Sequence, residues 1–274
     1  MIEKLSTLQP YEGINICILL GALVLYVLIW ITGAGSQLFS RKQLPRIPRF
    51  DSSLFPHPAE ELYTMLFMVF YTYISLMNVT TDKAAPGSAS ATDAWLSAFI
   101  SLAIYTPMAL RYFALPATKG AITKNNFVCM IATLGTIYLI SITLSMTGFL
   151  NWLSSVTGSP EQQQVTEEIA GAKSLLTLSG LIFNAVIVAP LMEEIAFRGF
   201  MYNVLRQRAG IIAAAISSSL FFSAVHTSLI QTVVLFVFGC AQCYLYEKTR
   251  TLIFPIILHA IFNSVSIIFI LLIG

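Results

Sequence analysis

A chain of 274 residues, 57% hydrophobic and only 10% charged, with a formal net charge of +2 and a mean hydropathy of +0.79, lies far from soluble globular domains, whose charged fraction is about 25%. That composition excludes a water-soluble domain and implies a polytopic membrane protein. The apolar runs are long and continuous, which excludes a closed β-barrel of short alternating strands, and the basic residues form no run or stripe, which excludes nucleic acid as a partner.

The first charge-free run long enough to cross a hydrocarbon core of about 30 Å covers residues 14–33. It is longer than a signal-peptide core, only Lys4 precedes it and four basic residues follow, so it reads as a signal anchor. Residues 34–61 combine Pro45, Pro48, Pro56 and Pro58 with Arg41, Lys42, Arg46 and Arg49, and read as an irregular segment near anionic headgroups. Spans at 62–81 and 94–110 follow, joined by 82–93, a stretch rich in Ala, Ser and Gly that reads as a flexible outer loop. A fourth span falls within 125–150, and the polar connection 151–173 carries a short helix at 161–172. Residues 174–192 open the fifth span. The run 209–246 is about twice the length of one crossing and reads as a helical hairpin, and 251–274 closes the chain. The expected fold is an all-α polytopic bundle of about eight transmembrane helices.

Charge orients it. Of the fifteen Lys and Arg residues, Arg41, Lys42, Arg46, Arg49, Arg111, Lys119, Lys124, Arg198, Arg206, Arg208, Lys248 and Arg250 fall on one side, against Lys4, Lys83 and Lys173 on the other. The positive-inside rule puts the larger group in the cytoplasm and both termini outside. Residues 1–173 hold no ionisable group at membrane depth and read as a supporting or gating half, whereas 174–274 hold the candidate site. All four cysteines lie in apolar spans, which implies no disulfide framework. Cys240 and Cys243 form a C-x-x-C without the strand-to-helix context of a redox motif.

Ionisable groups inside a membrane persist where they pair, line a wet cavity or do chemistry. Glu193, Glu194, Arg198, His226, His259 and Asn263 stand in otherwise apolar sequence. Glu194 and Arg198 are four apart, on one helical face, and read as a structural pair. Glu193 points away from that pairing and is the better base. His259 and Asn263 share a face of the last span. A carboxylate with a histidine can activate water, and a histidine with an asparagine can stabilise an oxyanion. The set Glu193, His226 and His259 equally matches the ligands of a catalytic zinc site with an open position. Counting about 1.5 Å per residue from the nearest basic residue brings Glu193, His226 and His259 to broadly similar depth, in a cavity expected to open toward the cytoplasm.

The run Glu193-Glu194-Ile195-Ala196-Phe197-Arg198-Gly199 resembles the E-E-x-x-x-R motif of the CPBP (CAAX protease and bacteriocin-processing, Abi) family of intramembrane proteases, which includes the type II CAAX prenyl endopeptidases. Phe222 to His226 resembles its F-x-x-x-H motif, and His259 to Asn263 its H-x-x-x-N motif, in the family's order. The resemblance covers residues 174–274. It implies an eight-helix intramembrane endopeptidase in which Glu193 and His226 activate water, His259 and Asn263 hold the oxyanion, and Glu194, Arg198 and Phe222 support them. It implies no required cofactor, with zinc left open, and a membrane-associated protein or peptide substrate, lipidated or not, at the plasma membrane. The alternatives are a non-catalytic scaffold or bacteriocin self-immunity protein of the same fold and, less favoured, a proton-coupled transporter, which would normally show repeats or broken helices in two halves.

Overall fold

Lipid offers no hydrogen-bond partner to a peptide group, so charge-free apolar runs bury their backbone polarity as helices. The structure, a computed structural model, describes residues 9–32, 64–70, 72–73, 88–114, 122–159, 164–226 and 228–273. Among these it is all-α, with no strand. The helices are α1 (Pro10–Thr32), α2 (Ala91–Ala114), α3 (Lys124–Met146), α4 (Phe149–Thr157), α5 (Gln164–Ala170) and α6 (Leu175–Phe183). A π-helical turn at Asn184–Val188 leads to α7 (Ala189–Glu193), and a second π segment (Glu194–Tyr202) leads to α8 (Asn203–Ala224), α9 (Leu229–Thr249) and α10 (Ile253–Ile273).

Short polar residues set several helix starts. Ser90 and Asp93 form a reciprocal box, each side chain accepting from the other's backbone N–H at 3.1 Å; Ser174 Oγ accepts from Thr177 N at 3.0 Å and Thr123 Oγ1 from Asn126 N at 3.2 Å. The 82–93 connection is therefore helical from Ala91, and helix α4 occupies residues the sequence reading left as loop. The segment 34–61 and most of the span expected at 62–81 lie outside the described residues.

Among the described residues six helical stretches are long and apolar enough to cross a membrane, one of them the 50-residue Leu175–Ala224. At 1.5 Å per residue that stretch would be about 75 Å long, far more than one crossing needs. It breaks at Gly210, whose φ of 81° and ψ of 175° are open to glycine and strained for other residues. The expected hairpin is present as α8 and α9, with Val225, His226 and Ser228 between them.

Long-range contacts sort the helix ends into two groups. At one, here the hairpin end, Thr232 Oγ1 donates to Asn15 Oδ1 at 3.1 Å, Leu229 N to Ser159 Oγ at 3.1 Å, Ala89 N to Glu168 Oε2 at 3.1 Å and Trp95 Nε1 to Leu176 O at 3.3 Å. At the other, the arginine end, Glu247 of α9 accepts from Tyr202 Oη at 2.7 Å, pairs with Arg206 and meets Arg250 Nη1 at 3.1 Å. Helix α8 runs between the ends at the centre, packed on α9, α1 and the second π segment. Polar side chains are buried inside while Leu28, Phe99, Ile131 and Leu139 face outward, the arrangement lipid favours.

Helices α8 and α9 approach closely through small residues. A Cβ on Gly239 would lie 2.8 Å from Ser219 Cβ and 3.1 Å from its Cα, so side-chain rotation cannot relieve the clash. Gly239→Ala is expected to cost about 1–3 kcal/mol by overpacking, read as a lower unfolding temperature in detergent; unchanged stability would refute this close approach.

Candidate active site

The acidic motif lies on distorted helix, between and within the two π segments. In the first, Ala189 N–H donates to Asn184 O, five residues back. The next donor in that register would be the N–H of residue 190, which proline lacks. The Ala185 carbonyl so deprived accepts instead from Asn263 Nδ2 at 2.7 Å. Asn203 does similar work after the second segment: its backbone N–H goes to Phe200 O, and its side chain donates to Arg198 O at 2.8 Å and Gly199 O at 3.0 Å. Two asparagines thus cover carbonyls that wide turns and a proline leave exposed, as a helix in apolar surroundings requires.

Glu194 is fully buried and a single oxygen serves three elements. Its Oε1 accepts from Arg198 Nη1 at 3.0 Å, His259 Nδ1 at 2.9 Å and Gln242 Nε2 at 3.3 Å. Arg198, 1% exposed, stacks its guanidinium 4.5 Å from the Phe222 ring centre and reaches Gly239 O at 3.4 Å. Gln242 also donates to Pro255 O at 2.9 Å, joining α9 to the first turn of α10. The i,i+4 pair expected from sequence is present, and it extends to a histidine the helical spacing could not reach. Phe222 sits among the same groups, its ring centre 5.0 Å from that of His226 and 6.0 Å from that of His259.

Glu193 stands apart from this cluster, as its turn along the helix predicts. Its side chain is 16% exposed and its Oε2 lies 3.9 Å from His259 Nε2, beyond hydrogen-bond length. His226, in the turn between α8 and α9, places Nδ1 2.8 Å from Phe222 O. A carbonyl only accepts, so Nδ1 carries the hydrogen and a neutral His226 keeps its Nε2 lone pair free. Burial pulls this imidazole below the usual histidine range, against the opposing pull of Glu193.

A cavity of about 610 Å³ brings Glu193, His226, His259 and Asn263 together on its wall. Tyr138 and Asn184 also line it, and Tyr138 Oη and Asn184 Oδ1 are buried with no protein partner among the described residues. Sequence reasoning singled out neither, nor Gln242, Asn203 and Phe238. Gln242 was the most discoverable, being an amide in an otherwise apolar crossing; the others carry no signal without the neighbouring helix. Among the described residues no group of three or more His, Cys, Asp or Glu side chains lies close enough together to hold a metal ion.

The direction of the cavity departs from the sequence reading. From Glu193 and His259 its lining runs to Gln231 of α9, to Val165, Thr166 and Ile169 of α5, and to Ile267 and Ile270 in the second half of α10. All of these lie toward the hairpin end, away from Arg206, Arg208 and Arg250. A cytoplasmic opening and a cytoplasmic position for those arginines therefore exclude one another. Counting residues from basic positions measured depth but could not tell which end was open.

Removing Arg198 leaves a buried carboxylate unpaired, so Arg198→Ala is expected to lose about 3–5 kcal/mol of stability, seen as an early unfolding transition. Asn263→Leu is expected to lose about 1–3 kcal/mol for the unpaired Ala185 carbonyl. Pro190→Ala, which restores an N–H at position 190, should recover most of that loss; a strictly additive double variant would refute the link.

Residues 175–265 match the model of the Rce1-like family, described as type II CAAX prenyl endopeptidase Rce1-like, so this third of the chain is similar to that family. The chain is also 30% identical over 88 residues to "Putative membrane peptidase YdiL" of Bacillus subtilis (strain 168), a stretch covering 32% of this chain and 36% of that protein. No solved structure matches the chain.

Proposed function

From a chain whose residues 175–265 form an Rce1-like region, we propose an intramembrane endopeptidase that hydrolyses a peptide bond in a membrane-associated protein or peptide. The observation that carries the reading is the shared cavity wall: Glu193, His226, His259 and Asn263, drawn from three parts of the fold, face one space. Glu193 takes a proton from a water held also by the free Nε2 of His226, and the oxygen bonds to the substrate carbonyl carbon. The negative charge passes to the carbonyl oxygen, which the second amide hydrogen of Asn263 stabilises together with His259 Nε2–H, a donor when the ring carries both protons because its Nδ1–H is held by Glu194. As the C–N bond breaks, Glu193 returns its proton to the leaving nitrogen. Preorganised donors of this kind contribute about 10²–10³ in rate each. Glu194 acts through His259, holding its Nδ1.

No step in this reading passes through a metal. Tyr138 and Asn184 are available to the substrate's peptide groups. Integral membrane location follows from the helices; residence in the plasma membrane is part of the proposal.

The test is cleavage of a prenylated CAAX peptide and a panel of unprenylated membrane peptides by purified protein. Glu193→Gln is expected to lower turnover by about 10²–10⁴ while remaining folded, and a chelator to leave the wild type unchanged. A folded, fully active Glu193→Gln variant would sink the mechanism; loss with chelator and recovery with zinc would replace it with a metal one.

The pH profile gives a separate check. His226 Nε2 accepts a hydrogen bond from the water only when the ring is neutral, and its lowered proton affinity keeps it neutral to more acidic pH than a free imidazole. Activity is therefore expected to persist as pH falls to about 6.5, the ordinary histidine value, and to fail only below it. A kcat/KM profile with its acidic limb above that value would contradict the assignment.

A further inference from the structure

We propose that the cavity opens on the non-cytoplasmic face of the membrane, and that its substrate is an apolar polypeptide segment presented from that face. The substrate half of this inference rests on the proposed hydrolysis; the orientation half does not.

Two observations meet here. The positive-inside rule depends on Lys and Arg in short loops close to the ends of the spans. Excluding Arg198, which is buried beside Glu194, eleven of the remaining fourteen basic residues follow or precede helix ends of one kind, against Lys4, Lys83 and Lys173. Within the described fold the same bias holds: Lys124, Arg206, Arg208, Lys248 and Arg250 lie at the arginine end, and Lys173 at the hairpin end. The arginine end is thereby cytoplasmic.

The second observation is where the wall of the cavity leads. On its wall His259 packs against Phe222 and Phe238, which, like Arg198, are no more than 1% exposed. The cavity's other end is built from α5, the start of α9 and the second half of α10, all at the hairpin end. Contacts from α1 to α9, and from α2 to α5 and α6, tie that assignment together. A chain entering from the non-cytoplasmic side would meet Val165, Ile169, Phe269 and Ile270 before reaching the polar side chains. Those side chains carry no charge, so they favour an apolar, membrane-proximal stretch of a translocated polypeptide over a cytoplasmic chain terminus.

Full-length protein with Val165→Cys or Ser266→Cys, both exposed and on the cavity wall, is treated with a membrane-impermeant maleimide in right-side-out and inverted vesicles. Lys248→Cys marks the arginine end, and wild type in parallel gives the background of its own cysteines. The expected result is labelling of both cavity thiols in right-side-out vesicles with loss in inverted ones, and the reverse for Lys248→Cys. Cavity thiols that label with Lys248→Cys from the same face overturn the proposal. So does labelling of neither from either face, which would deny an aqueous opening. Single-span fusions offering one apolar segment outside or inside complete the test: cleavage of the outward one alone supports the substrate class, and cleavage of the inward one overturns it. Labelling as expected with neither fusion cut, by wild type or by Glu193→Gln, supports the orientation and counts against the hydrolysis.

Discussion

One carboxylate oxygen, Glu194 Oε1, organises the centre of this protein. It accepts from an arginine on its own segment, a glutamine on α9 and a histidine on α10. A buried carboxylate is tolerated when its charge is paired and hydrogen-bonded, and these three donors come from three separate elements. Satisfying Glu194 therefore forces those elements into a fixed relation. The same bonds leave His259 with only Nε2 turned to the cavity, opposite Glu193. Electrostatic necessity fixes this residue, which is why adjacent glutamates differ: one is consumed by packing and the other borders the cavity.

A second constraint is the backbone around that motif. Two π segments and Pro190 interrupt the α-helical ladder where the acidic pair sits. In an apolar setting each unpaired carbonyl is costly, and Asn263 and Asn203 meet that need. Asn263 consequently links the last helix to the first π turn while also facing the cavity. Its place in the proposed oxyanion site depends on an amide group having two hydrogens, one committed to Ala185 and one to offer.

The two ends of the bundle differ in chemistry. Around Glu247 the arginine end is held by Tyr202, Arg206 and Arg250, a charged closure suited to the cytoplasmic side of a membrane. Toward the hairpin end, α5 and the second half of α10 border the cavity with mostly apolar side chains.

The amino-acid sequence by itself determined that this is a helical membrane protein, because only helices can bury the backbone of such long charge-free runs. It also singled out Glu193, Glu194, Arg198, His226, His259 and Asn263, because polar groups in those runs are too expensive to be incidental, and all six fall within residues 175–265, the stretch similar to the Rce1-like family. Tertiary structure alone decided the partners. That Glu194 holds His259, that Asn263 replaces the N–H missing from Pro190, that Gln242 and Tyr138 belong to the same neighbourhood, and that the cavity runs toward the hairpin end all depend on contacts between helices far apart in the chain. Helical spacing specifies which residues share a face of one helix. It carries no information on which face of another helix lies opposite, or on which end of the bundle the space between them opens.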